Sequence, residues 1–408
     1  MAENLRPDRV PWRSRTVQVV LLSTLLAPLG VPLVAPALPV IRDAFAVTDA
    51  RASLVVSAYF VVGIVLSPFI GLLADRLGRK RVLVTSLLAF GVTGGAIYFA
   101  PSFEWVLALR AIQGTAAAGL FVATVTLIGD TFEGTQRNAV LGMNIAVLSA
   151  GAALFPLVGG ILVSFGWNVP FLACLLAIPV GLFALFALEE PALVREARGV
   201  AYIRRALSVV TGPNTLFLYG AAFATELLLF GAILTVLPFL LTAQYGLAPV
   251  FIGGIIVAAE VGSIVVSTQN GRLARHISNR LLVAGGFACF GVGLVVAWLA
   301  PSALVVALGA VVVGAGLGLS MPAVDAAISD LVTGEYRAGA LSLRNSTTFL
   351  GRATGPALFA GLAAVTGYPL LLLGAGLVSL TLALLIGVAL RSSLDRAGTP
   401  PEKPDEAV

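Results

Sequence analysis

Charge is what this chain has least of. Only 11% of its 408 residues are Asp, Glu, Lys or Arg, well under half the share of roughly 25% in soluble domains. Histidine occurs once, as His276, and cysteine twice, as Cys174 and Cys289. The cysteines sit in apolar runs of different halves, which argues against a disulfide framework and against a His/Cys metal cluster. No cofactor and no metal is therefore expected. Also missing are a Gly-Lys-Ser/Thr phosphate loop and a nucleophile–histidine pair, so neither an enzyme nor an ATP-driven pump is expected.

What fills the chain instead is apolar: 59% of residues are hydrophobic and the mean hydropathy is +1.01. Runs of about 20 apolar residues, the length that crosses a bilayer, recur from end to end. The chain reads as an all-α membrane protein with twelve transmembrane helices. The run from Val19 to Ile41 follows an arginine-rich start but is too long for a signal-peptide core, and reads as a retained first span. Hydropathy breaks divide the chain into an amino-terminal tail (1–16), a six-helix bundle (17–188), a linker (189–213), a second six-helix bundle (214–390) and a Pro-rich, charged tail (391–408) expected to be disordered. In the linker Val194, Ala197, Val200 and Ile203 alternate with arginines, which suits either a helix lying on an anionic leaflet or a solvated tether.

Lys and Arg are distributed unevenly. Apart from Arg110, Arg344 and Arg352 within helices, only Arg42 and Arg51 fall outside one alternating set of tails and loops. The positive-inside rule then puts both termini in the cytoplasm. A pI near 9.6 reflects this topology, and no nucleic-acid partner is expected; the lipid bilayer is.

An internal repeat is visible at an offset of 200 residues. Ala100–Ser102 returns as Ala300–Ser302, Asp130/Gly134/Arg137 as Asp330/Gly334/Arg337, Gly151/Pro156 as Gly351/Pro356, and Gly71/Leu73/Ala74 as Gly271/Leu273/Ala274. Four landmarks in one register imply duplication: two bundles of six helices in the same orientation, related by a pseudo-two-fold axis, with a substrate path between them.

Three motifs then carry a family resemblance. Gly71, Asp75, Arg76, Gly78, Arg79, Lys80 and Arg81 form G-x-x-x-D-R-x-G-R-K-R between helices 2 and 3. Arg110, Gln113 and Gly114 form R-x-x-Q-G in helix 4. Gly142, Gly151, Pro156, Gly159 and Gly160 follow an antiporter pattern in helix 5, with Phe155 where that pattern has glycine. The chain resembles the major facilitator superfamily, and within it the twelve-helix drug:proton antiporters. The resemblance implies that Asp75 meets the amino terminus of helix 11 as a conformational latch, with Arg79 pairing to Asp130, and it ties Arg110 to proton transfer.

Buried ionisable groups cost about 2.5–3.5 kcal/mol each at mid-bilayer and so mark function. The first half holds Arg110 at depth, with Gln113 one turn on; a structural hydrogen bond to a neighbouring helix is the other reading. The second half holds Glu226, Glu260 and Arg352, with Asp325 nearer the inner interface. Glu226 and Glu260 are the candidate proton carriers, although one of them can instead serve to neutralise Arg352. Tyr59, Asn144, Phe230 and Phe239 are candidate pocket residues by helix position. The expected activity is proton-coupled export of small amphipathic molecules by alternating access, by a monomer in a prokaryotic plasma membrane. A dedicated sugar or metabolite carrier is the alternative, and a non-transporting sensor is a further one.

Overall fold

The computed structural model describes residues 10–190, 212–331 and 334–398. Within these, every extended element is helical. The first rod, α1, consists of helices Arg15–Leu26 and Leu38–Phe45 with two 3-10 turns between them. It is followed by α2 (Asp49–Leu77), α3 (Arg79–Ala96), α4 (Phe103–Thr131), α5 (Gly134–Val163) and α6 (Val169–Ala187). The second set is α7 (Pro213–Leu228, a π-helical stretch Leu229–Val236, then Leu237–Tyr245), α8 (Pro249–Leu273), α9 (Asn279–Trp298), α10 (Ala303–Leu331), α11 (Gly334–Thr366) and α12 (Tyr368–Gly398). Nine helices among the described residues are long and apolar enough to cross a membrane. The remaining rods are α1, which is interrupted by two 3-10 turns, α2 and α11, and all three take part in the contact between the halves.

Local sequence sets the ends of these rods. Thr48, Ser102 and Ser278 are N-caps of α2, α4 and α9, each accepting a backbone N–H three residues on, which satisfies donors the first helical turn leaves open. Pro249 opens α8, where its missing N–H costs nothing. Gly78 alone separates α2 from α3; its φ of 101° is one that side chains rarely adopt.

The repeat appears as matched packing. Within the halves α2 packs on α4 as α8 does on α10, and α3 on α4 as α9 does on α10. Gly114 meets the backbone carbonyl of Tyr59, and Gly314 meets that of Ala259, the same contact one repeat later. Gly151 lies against Leu25 and Pro28 of α1, and Gly351 against Phe223 and Glu226 of α7. Without aqueous driving force between helices, such small residues allow the close backbone approach that holds them together. Between the halves, α2 packs on α11 and α5 on α8, a pair of interfaces that the two-fold exchanges.

One boundary moves. α12 continues to Gly398, past the expected bundle limit at 390, because no glycine or proline interrupts Arg391–Ala397. Residues 191–211 of the linker and 399–408 of the tail lie outside the described residues.

Candidate functional site

The end of the bundle carrying the α2–α3 and α8–α9 turns is called here the basic end, and the opposite one the far end. At the basic end Arg79 is buried, its Nε donating to Asp130 Oδ2 at 2.9 Å and its Nη1 to the Ala74 carbonyl at 2.6 Å. The expected Arg79–Asp130 pair is present, and these acceptors draw Arg79 under the turn. Arg76 and Arg81 are exposed and Lys80 partly so. Glu190, which the sequence did not single out, accepts the backbone N–H groups of Arg79 and Lys80, an anion at the amino terminus of α3. It also fills the space beside Gly78, where any side chain would run into the carboxylate. The side chains of Gly71 and Asp75 lie outside the described residues.

At mid-depth in the first half, Arg110 is completely buried. Its Nε donates to the Val55 carbonyl and its Nη1 to Gln113 Oε1, both at 2.9 Å, and its Cζ lies 4.4 Å from the centre of the Tyr59 ring. Gln113 in turn donates to Cys174 Sγ at 3.2 Å. Every one of these partners belongs to the first half. Arg110 is thus a cation held by carbonyl, amide and ring.

The second half pairs its charges. Arg352 of α11 grips Glu226 of α7 with two hydrogen bonds, Nε to Oε2 at 3.0 Å and Nη2 to Oε1 at 2.8 Å, the fork geometry that makes Arg–carboxylate pairs strong. Glu226 is only 3% exposed. Three phenyl rings surround the guanidinium, with Phe230, Phe349 and Phe60 at 5.3, 5.5 and 5.9 Å from Cζ. Phe230 and Phe349 belong to the same half, whereas Phe60 comes from α2 across the seam. The π-helical stretch of α7 begins immediately after this site; such local widening is frequent at functional positions. Glu260 of α8 is partly exposed, lies within Coulombic reach of Glu226, and has no hydrogen-bond or ion-pair partner among the described residues. Asp325 is taken up by Arg344, 2.7 Å away.

At the far end the halves touch directly. Gly160 of α5 meets Pro249 and Val250 of α8, and Gly253 meets Pro156 and Leu157. Arg42 binds Asp49 at 3.0 Å and covers the Phe239 ring at 5.8 Å, while the Tyr368 hydroxyl donates to Asp49. These contacts join α1 and α2 to α7 and α12.

The structure thus brings together Glu226, Arg352 and Phe230, keeps Arg110, Gln113 and Tyr59 as a separate group, and sets Phe239 in the far-end seam, away from the charged pair. Asn144 accepts from Thr24 Oγ1 at 2.6 Å and ties α5 to α1. Of the helix-5 pattern, Gly159 and Gly160 make close approaches, to the Leu33 backbone and to α8, whereas Gly142 has nothing near it. Phe60 and Phe349 were not anticipated. A signal for Phe60 existed: it stands 200 residues before Glu260, so the two occupy equivalent positions on α2 and α8.

Comparison with known proteins agrees with this architecture. The bacillibactin exporter of Bacillus subtilis (strain 168) is 28% identical over 380 residues, 88% of this chain and 93% of that protein. Multidrug resistance protein 2 of the same organism is 23% identical, over 84% and 88% of the two chains. A crystal structure of a bacterial homolog of the human lysosomal transporter Spinster, inward-facing and occupied, superposes with a TM-score of 0.78 at 17% identity, covering 96% of this chain and 99% of that one; at that identity it speaks for the fold. The description of the Major Facilitator Superfamily matches residues 20–257 and 216–407. The chain belongs to that superfamily and is a multi-pass membrane transporter.

Proposed function

We propose that this transporter exports small amphipathic molecules in exchange for protons, by alternating access, and that Glu260 is the residue that takes up and releases the proton. The observation that carries the reading is the contrast between the two mid-depth carboxylates. Glu226 is locked by both oxygens to Arg352, so its carboxylate is already engaged. Glu260 has no such partner among the described residues, so it can take up a proton and give it back without breaking an ion pair. A carrier must do both in turn, and the unpaired carboxylate is the one free to do so. Glu226 then serves as the counter-ion of Arg352.

The direction of transport rests on the relatives, an exporter and a multidrug resistance protein. The far-end contacts describe one of the two states that alternating access requires. In the opposite state Asp75 would hold the basic end closed against α11, and the basic loops would face the cytoplasm of a prokaryotic cell. A second reading, a carrier dedicated to one metabolite, draws on the bacillibactin exporter, whose match spans nearly the full length of both chains.

The test is transport by purified protein in proteoliposomes with an imposed pH gradient, across a panel of lipophilic cations, anionic metabolites and sugars. Gradient-driven movement of several unrelated lipophilic compounds supports the first reading, and of a single metabolite the second. Movement that ignores the gradient refutes proton coupling.

A further inference from the structure

Phe60 is the one ring of the first half found around Arg352 among the described residues. It meets Phe230 edge-on at 5.1 Å and 90°, Phe349 at 6.1 Å and the guanidinium at 5.9 Å. On its own helix it abuts Tyr59 at 5.1 Å, the ring beneath Arg110. An unbroken line of contacts therefore runs from Arg110 through Tyr59 and Phe60 to Arg352 and Glu226, crossing the seam at one residue. By the repeat, Phe60 holds on α2 the place that Glu260 holds on α8. One copy of the position carries a carboxylate, and the other an apolar ring in contact with a cation.

We infer that Phe60 is the positioning residue through which the first half responds to the charge state of the Glu226–Arg352–Glu260 group. This inference rests on the proton-coupled reading above. With Glu260 protonated, Arg352 and Glu226 form a neutral pair and the guanidinium stays among the rings, holding α2 against α11. With Glu260 ionised, the group carries a net negative charge, and Arg352 is shared between two carboxylates and drawn from the Phe60 face. The charged and titratable groups that bear on this balance are Glu226 on α7, Arg344 and Arg352 on α11, Asp325 on α10 and Tyr59 on α2. A partly desolvated cation–π contact shifts an equilibrium by roughly 3- to 30-fold, enough to bias which end of the carrier is open.

The test compares wild type, Phe60→Leu and Phe60→Trp in proteoliposomes, with tetraphenylphosphonium as probe. Two rates are measured: extrusion driven by a pH gradient, and counterflow of the same probe without a gradient. The expected result is that Phe60→Leu lowers driven extrusion about tenfold while counterflow stays within twofold, and that Phe60→Trp retains both. A parallel fall of both rates in Phe60→Leu assigns the ring a merely structural role and overturns the inference, as does a Phe60→Leu protein whose driven extrusion matches wild type. A wild type that exchanges the probe but does not extrude it against the gradient overturns the proton-coupled reading instead. A wild type that does neither overturns export of this class of compound.

Discussion

The two halves share a fold and differ in their buried charge. In the first, the deep cation Arg110 is held by a carbonyl, an amide and a ring. In the second, Arg352 is held by a carboxylate with a further, unpaired carboxylate nearby. A cation bound by neutral groups has one arrangement and no proton to exchange. Duplication supplied the same scaffold twice, and the acidic partner of the deep cation lies in one copy. The basic end reverses the bias: the Arg79–Asp130 pair belongs to the first half and is capped by Glu190 from the start of the linker, while the second copy of the turn carries Arg275 and Ser278 where the first has Asp75 and Gly78.

The comparison can be broken most forcefully at its cations. Arg352→Ala strands Glu226 as an unpaired buried acid and is expected to destabilise the protein by roughly 3–5 kcal/mol. Arg110→Ala removes a cation whose partners are neutral and strands no charge, and the expected loss is smaller, about 1–3 kcal/mol for the neutral acceptor left unsatisfied. Thermal unfolding of the detergent-solubilised variants orders the two; an Arg110 variant that is the less stable contradicts the distinction.

Asp75→Asn is expected to insert normally and to transport several-fold more slowly, measured as initial efflux rate per molecule in the membrane. The corresponding Arg275→Ala in the second copy of the turn is expected to leave the rate unchanged, so equal defects would erase the asymmetry of the basic end. Tyr368→Phe deletes one hydrogen bond of the far-end contact, worth about 1 kcal/mol. The expected outcome is an approximately fivefold gain in the reactivity of a far-end cysteine, introduced as Val250→Cys, toward an impermeant maleimide.

Much of this molecule was legible in its residues. Apolar runs gave the rods, and the 200-residue register anticipated that Gly151 and Gly351 make equivalent contacts with α1 and α7. The Arg79–Asp130 pair followed from the motif. Less legible was the division of labour between Glu226 and Glu260. Both lie mid-span, and which one meets Arg352 depends on how α7, α8 and α11 are rotated about their axes, which hydropathy does not encode when a helix is apolar on nearly every side. The same holds for Phe60 and Phe349, separated by most of the chain, and for the far-end group. Arg42 counted only toward the distribution of charge, and neither Asp49 nor Tyr368 was singled out in the sequence. Phe239 was misplaced for a similar reason: an aromatic residue two turns from a mid-depth site suits a pocket as well as a seam, and Arg42 decides between them.

The most direct test of the account is the effect of Glu260→Gln and Glu226→Gln on both gradient-driven efflux and gradient-free counterflow. The account predicts that Glu260→Gln abolishes driven efflux and its pH dependence while counterflow persists, and that Glu226→Gln, by releasing Arg352, impairs both. Driven efflux that survives Glu260→Gln with its pH dependence intact would contradict it.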